Sequence, residues 1–106
     1  MTNEKLKQTL EQYKNFFTRG NILPVKHHDA TLATDFGIQL QHCHWMVIEI
    51  EDMIFEANQI SIGTYAENLM IKCNRWLGFI QGVLWTQSIC SIKDLKGDNR
   101  NGTTEV

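Results

Sequence analysis

Apolar side chains at Leu6, Leu10, Tyr13 and Phe17 are spaced four, three and four residues apart, the period of a helix that buries one face. Thr2 or Asn3 can cap this helix and Gly20 is placed to stop it. Residues 21–28 hold the only proline, Pro24, and show no helical period, so they read as a loop that ends at Asp29, a good N-cap. From Ala30 to Asn58 the positions Ala33, Phe36, Leu40, Cys43, Val47, Ile50, Ile54 and Ala57 alternate in steps of three and four. That heptad seam predicts a long helix over 29–58, widened by Leu32, Met46 and Met53. Asp35, His42, Glu49 and Glu56 stand seven apart as a polar stripe, whereas Ile38, Trp45, Ile48 and Phe55 form a second apolar surface. A monomer seldom leaves such a surface in water.

Residues 59–63 break the period, and Thr64 with Glu67 has the spacing of a capping box that opens a third helix to about residue 88. Between Trp76 and Trp85 this helix is apolar nearly all round, interrupted by Gly78, Gln81 and Gly82, so it must be central or shared between chains. Gly78 and Gly82 share a face on which another backbone can come close. Ser91 with Asp94 caps a short helix that Gly97 ends, and residues 98–106 are a polar tail expected to be disordered. The fold expected is all-α: a bundle of two long antiparallel helices, 29–58 and 64–88, with an N-terminal helix across them and a short C-terminal helix. One domain covers 1–97. The surplus apolar surface predicts a homo-oligomer, a two-fold dimer or higher.

Composition narrows the function. At 106 residues there is room for one domain and one core. Ten Lys and Arg against twelve Asp and Glu leave no global field for a polyanion, which disfavours nucleic-acid binding. Cys43, Cys73 and Cys90 are odd in number, lack CxxC spacing and lie in or beside apolar runs, as expected of reduced buried thiols. The polar N-terminus and the absence of a long apolar run predict a cytoplasmic protein with no membrane association.

Four constellations could carry chemistry. His42, Cys43 and His44, with His27, His28 and Cys73, suggest a metal site, but residues two apart on a helix point about 200° from each other and cannot share a tetrahedral ion. The expectation is a core thiol between two partly exposed imidazoles, with no metal and no cofactor. Glu49, Glu51, Asp52 and Glu56 resemble the carboxylate clusters of metal-dependent nucleotide hydrolases, yet Glu49 and Glu56 lie on a different helix face from Glu51, as in a solvated acidic surface. Lys26, His27 and His28, with Arg19 nearby in sequence, run into Asp29 and the expected start of the long helix, an arrangement suited to phosphate or another anion. Finally Arg75, Trp76 and Trp85, with Trp45 on the preceding helix, are residue types that dominate protein interfaces. No nucleophile with a base at catalytic spacing and no phosphate-binding glycine loop is present, so a non-enzymatic protein is expected.

The pieces AEN, RWLGFIQGVLW, SIKDL and DNR within residues 66–100 resemble the C-terminal half of small helical accessory proteins encoded by tailed bacteriophages and prophages. The resemblance implies a phage origin, action in the host cytoplasm and an accessory role such as inhibiting a host protein or sequestering a defence signal. It transfers no site residue. The function expected is capture and neutralisation of a host defence or metabolic protein through a rigid helical surface. Its anchors would be Trp45, Arg75, Trp76 and Trp85, with Glu49, Asp52 and Glu56 steering a basic partner. The alternative is an oligomeric sponge for a nucleotide second messenger, with Lys26, His27, His28 and Arg75 on the phosphates and a tryptophan on the base. A metal-dependent nucleotide hydrolase is the second alternative.

Overall fold

The computed structural model describes residues 3–29, 31–32, 35–60 and 63–98, and within them the chain is all-helical, with no strand. The elements are α1 (Asn3–Arg19), α2 (Phe36–Ile60), α3 (Thr64–Thr86) and α4 (Ile92–Asp98). Side-chain bonds join α2 and α3 at both ends: Gln87 Nε2, just past α3, donates to Gln39 Oε1 near the start of α2 (2.6 Å), and Tyr65 Oη donates to Glu56 Oε1 at the opposite end (2.8 Å). The two helices are therefore antiparallel.

Their shared core is the heptad seam of α2, Cys43, Val47, Ile50 and Ile54, against Cys73, Leu77, Ile80 and Leu84 of α3. The stripe Leu6, Leu10, Tyr13 and Phe17 of α1 closes this core from one side. One polar pair crosses the buried layer, with Gln81 Nε2 donating to Tyr13 Oη at 3.2 Å, so neither buried polar tip lacks a partner. At the edge Lys14 Nζ reaches Glu51 at 3.1 Å, and this contact, ahead of opposing desolvation and the weaker Glu11 contact, raises the lysine pKa. Among the described residues no helix is long and apolar enough to cross a membrane.

The helix boundaries correct the sequence reading in several places. The long helix begins at Phe36, not at Asp29. Asp35 is the cap, accepting the Gly37 and Ile38 amides on Oδ1, while Asp29 lies in the preceding loop, outside any helix. Leu32 therefore widens no seam and is 80% exposed, and Ala33 lies outside the described residues. At its other end α2 runs on to Ile60. The Thr64 and Glu67 box does not form: the residue before α3 is Gly63, at φ 113°, with no side-chain cap. The box at Ser91 does form, since the Ser91 amide donates to Asp94 Oδ2 and the Asp94 amide to Ser91 Oγ, both at 3.0 Å. That helix runs through Gly97 to Asp98; the tail from residue 99 lies outside the described residues.

Two helix ends use the same device without glycine. After α1 it is Asn21 (φ 58°), not Gly20, that turns left-handed, and after α3 it is Ser88 (φ 61°). In each case the next residue reaches back five positions, Ile22 N–H to the Phe17 carbonyl (2.9 Å) and Ile89 N–H to the Leu84 carbonyl (2.8 Å). Ile22 and Ile89 both pack on the core, completing the hydrophobic part of a Schellman ending. A left-handed conformation costs an L-residue other than glycine about 1–2 kcal/mol. Ser88→Gly is therefore expected to raise unfolding stability by about 1 kcal/mol, seen as a higher denaturant midpoint at unchanged slope. An unchanged midpoint would show that Ser88 bears no strain.

Candidate functional site: the cleft under the loop of residues 21–29

After α1 the chain crosses the outside of α2 and is tied to it four times. Ile22 offers its carbonyl to His44 Nδ1–H (2.6 Å), and Val25 donates its amide to the Gln41 carbonyl (3.2 Å). His27 donates its amide to His42 Nδ1 (3.1 Å) and its ring Nε2–H to Gln41 Oε1 (3.1 Å). These bonds replace helical order in a segment whose proline and short polar residues do not support a helix. They also correct the picture of His44, which is buried, stacks on Phe17 with ring centroids 5.3 Å apart, and anchors the loop.

The docked loop roofs a cleft with two adjoining cavities. One, of about 320 Å³, lies among His27, His28 and Asp29 of the loop, Ile38 and His42 of α2, and Phe79 and Val83 of α3. The other, of about 390 Å³, lies among Lys26, Asp29, His42, Trp45, Glu49, Lys72 and Trp76. They share Asp29 and His42, and each falls within the size range of small-ligand sites.

The second cavity has an ordered wall of cations and indoles. Lys26 Nζ lies 5.2 Å from the Trp45 ring centroid, Trp45 and Trp76 are 5.8 Å apart, and Lys72 Nζ lies 5.0 Å from Trp76. Both tryptophans are half-buried, so each keeps surface for an occupant. Both lysines lie within cation–π range of the indoles. His42 extends the aromatic row, its ring 5.2 Å from Trp45.

The structure thus unites two groups of residues that the sequence suggested for different roles. Lys26, His27 and His28 lie in the same cleft as Trp45, Glu49 and Trp76. The loop does not lead into a helix N-terminus as expected, because α2 starts only at Phe36. Arg75 and Trp85 are exposed and line neither cavity. The acidic residues also separate: Glu49 lines the cleft, Asp52 is exposed, Glu56 holds Tyr65 and Glu51 holds Lys14. Among the described residues no group of three or more His, Cys, Asp or Glu is arranged to hold a metal ion.

The sequence reading left out Lys72; it weighed His42 only as a metal ligand, Asp29 only as a helix cap and Phe79 only within an apolar run, and committed to none of them as a site residue. Lys72 had a usable signal, its i,i+4 spacing to Trp76. The others depend on where the loop docks.

The loop tie at His42 is pH-sensitive. To accept the His27 amide on Nδ1, the ring must be neutral with its proton on Nε2. Burial, then the charges of His27 and Lys26, lower its pKa from the ordinary histidine value, with Asp29 opposing. As pH falls, the unfolded chain therefore binds this proton before the folded one does. The stability contributed by neutral His42 is present above the ordinary histidine range and lost as pH drops through it. The melting temperature is expected to fall between about pH 7.5 and 5, and His42→Asn, which keeps an acceptor that does not titrate, should flatten part of that slope. An equally steep slope in the variant would assign the pH dependence to other groups.

Comparison with known proteins returns no match: no family model, no curated protein and no solved structure is similar to this chain.

Proposed function

We propose that this protein is a non-enzymatic accessory protein of phage type that acts by capture, and that the cleft roofed by residues 21–29 holds a segment of a host protein. The observation that carries the reading is the half-exposed Trp45–Trp76 pair between Lys26 and Lys72. Tryptophans in a partly desolvated groove are the commonest binding hot spots. The charges around them favour a polypeptide over a polyanion: Lys26 and Lys72 are balanced by Asp29 and Glu49, and His42 is neutral in its bond to the loop. A bound phosphate group would meet two carboxylates, whereas a peptide offers both signs of charge and backbone amides. Reactive chemistry has little support, since burial raises the pKa of Cys43 to about 12 and that of Cys73 above its ordinary value. Localisation in the host cytoplasm belongs to the same proposal.

The test is affinity capture from host lysate with the wild type, Trp45→Ala, Trp76→Ala and Trp85→Ala. One partner should be recovered by the wild type and Trp85→Ala and lost by the two cleft variants. Equal recovery by all four would refute the cleft as the capture site.

A second reading keeps the cleft and changes its occupant to a nucleotide, with the base on the Trp45–Trp76 pair and phosphates near Lys26, His27 and His28. The observation favouring it is that Lys26 and the two histidines share one cleft with the indoles; Lys72 takes the part expected of Arg75. Native mass spectrometry of gently purified protein would then show a retained mass of a few hundred daltons. The hydrolase reading has no comparable site, because the carboxylates of α2 serve separate contacts.

Self-association is part of the proposed function. Phe55, Ile71, Phe79 and Trp85 all remain exposed in the single chain, and contiguous exposed apolar surface marks an interaction site.

A further inference from the structure

The face of α3 turned away from α2 carries Ile71, Arg75, Gly78, Gly82 and Trp85 in alternating steps of four and three, with Phe79 on its flank. Among the described residues Ile71, Arg75, Gly78, Gly82 and Trp85 all stay exposed, while Phe79 also borders the first cavity of the cleft. Ile71, Phe79 and Trp85 are 61%, 56% and 51% exposed, and a Cβ added at Gly78 or Gly82 would meet nothing within 4 Å. A glycine within a helix costs about 1 kcal/mol relative to alanine, and among the described residues no contact made at either position offsets that cost.

We propose that this face is a dimer interface whose occupant is a second copy of α3, antiparallel, crossing on a two-fold axis at Gly78. The proposal rests on the self-association part of the function above and shares only Phe79 with the cleft. The spacing favours a copy of the same helix over an unrelated partner. Ile71 and Trp85 each lie seven residues from Gly78, so a two-fold axis there brings Ile71 of each chain against Trp85 of the other. Arg75 then lies near the gap left by the other copy's Gly82, where its guanidinium finds room.

Charge selects the antiparallel direction. Arg75 is the single charged residue of the seam, and a parallel pair would place the two guanidiniums side by side. In the antiparallel pair they lie six residues apart along the axis, about 9 Å, near the physiological screening length of about 8 Å. The glycines let the backbones approach closely enough for the large residues on both sides to touch.

The area sets the strength. Half-exposed aromatic side chains leave on the order of 100 Å² each, so Ile71, Phe79 and Trp85 contribute on the order of 300 Å² per chain, below a standard interface. The dimer is therefore reversible and dependent on protein concentration.

The experiment is sedimentation equilibrium of the wild type and Gly82→Leu, with cross-linking between Ile71→Cys and Trp85→Cys chains. Position 82 is exposed, a Cβ there meets nothing within 4 Å among the described residues, and leucine is a better helix former, so the fold should be at least as thermally stable while the dimer mass is lost. Mixed Ile71→Cys and Trp85→Cys chains should give chiefly the mixed disulfide on mild oxidation. A wild type that stays monomeric overturns both this interface and self-association. A dimer that survives Gly82→Leu overturns this interface and leaves self-association standing. Homotypic disulfides in place of mixed ones overturn the antiparallel pairing.

Discussion

Phe17→Ala is expected to destabilise the protein by about 3–5 kcal/mol, the range for emptying a large aromatic site in a core. Phe17 is fully buried, meets Phe16 edge to face with centroids 5.6 Å apart, and stacks on His44. Its carbonyl also accepts the Ile22 amide that closes the end of α1, and Ile22 in turn receives the His44 bond. Truncation therefore opens a cavity and loosens the first tie of the loop that roofs the cleft. In a domain whose total stability is about 5–15 kcal/mol, this is a large share, visible as a greatly lowered denaturant midpoint. Phe55→Ala is the control: its ring is exposed, and the change should stay within about 0.5 kcal/mol. Similar midpoints for the two variants would mean that the α1 end does not anchor the fold.

The second large effect concerns binding. Trp76→Ala is expected to weaken capture by about 2 kcal/mol or more, roughly 30-fold, as for a central aromatic hot spot. Trp45→Ala should have an effect of the same order. Because the rings touch, the double variant should lose less than the sum of the two. Trp85→Ala leaves the cleft intact and should bind at near wild-type strength. Circular dichroism of each variant separates lost binding from lost fold. A Trp76→Ala protein that is folded and binds normally would remove the pair from the site.

The buried faces were largely legible in the sequence, because helical burial repeats with the helical period. The α1 stripe and the α2 positions Cys43, Val47, Ile50, Ile54 and Ala57 are all buried. Periodicity does not say where a helix stops. Phe36 fits the seam, yet Asp35 and Gly37 on either side of it favour a cap, and the chain starts α2 there. Asn21 and Ser88 concealed two helix ends because glycine is the stronger signal for a left-handed residue. The cleft was legible only as separate parts. Trp45 and Trp76 stand out by residue type, but Lys26 reaches Trp45 because the loop folds back on α2, and the bonds that fold it join residues 14–22 positions apart. His44 was misplaced for the same reason: its distant partner, the Ile22 carbonyl, allows a polar ring to be buried.

The most direct test of the proposed capture site is photocross-linking in cells of the proposed host, with p-benzoylphenylalanine placed at position 76 in one variant and at position 55 in another. Position 76 is in the cleft, while position 55 is an exposed site that lines neither of its cavities. The cleft account predicts a single covalent adduct with a host protein from position 76 and none from position 55. An adduct from position 55 alone, or no adduct at 76 while capture persists, would contradict it.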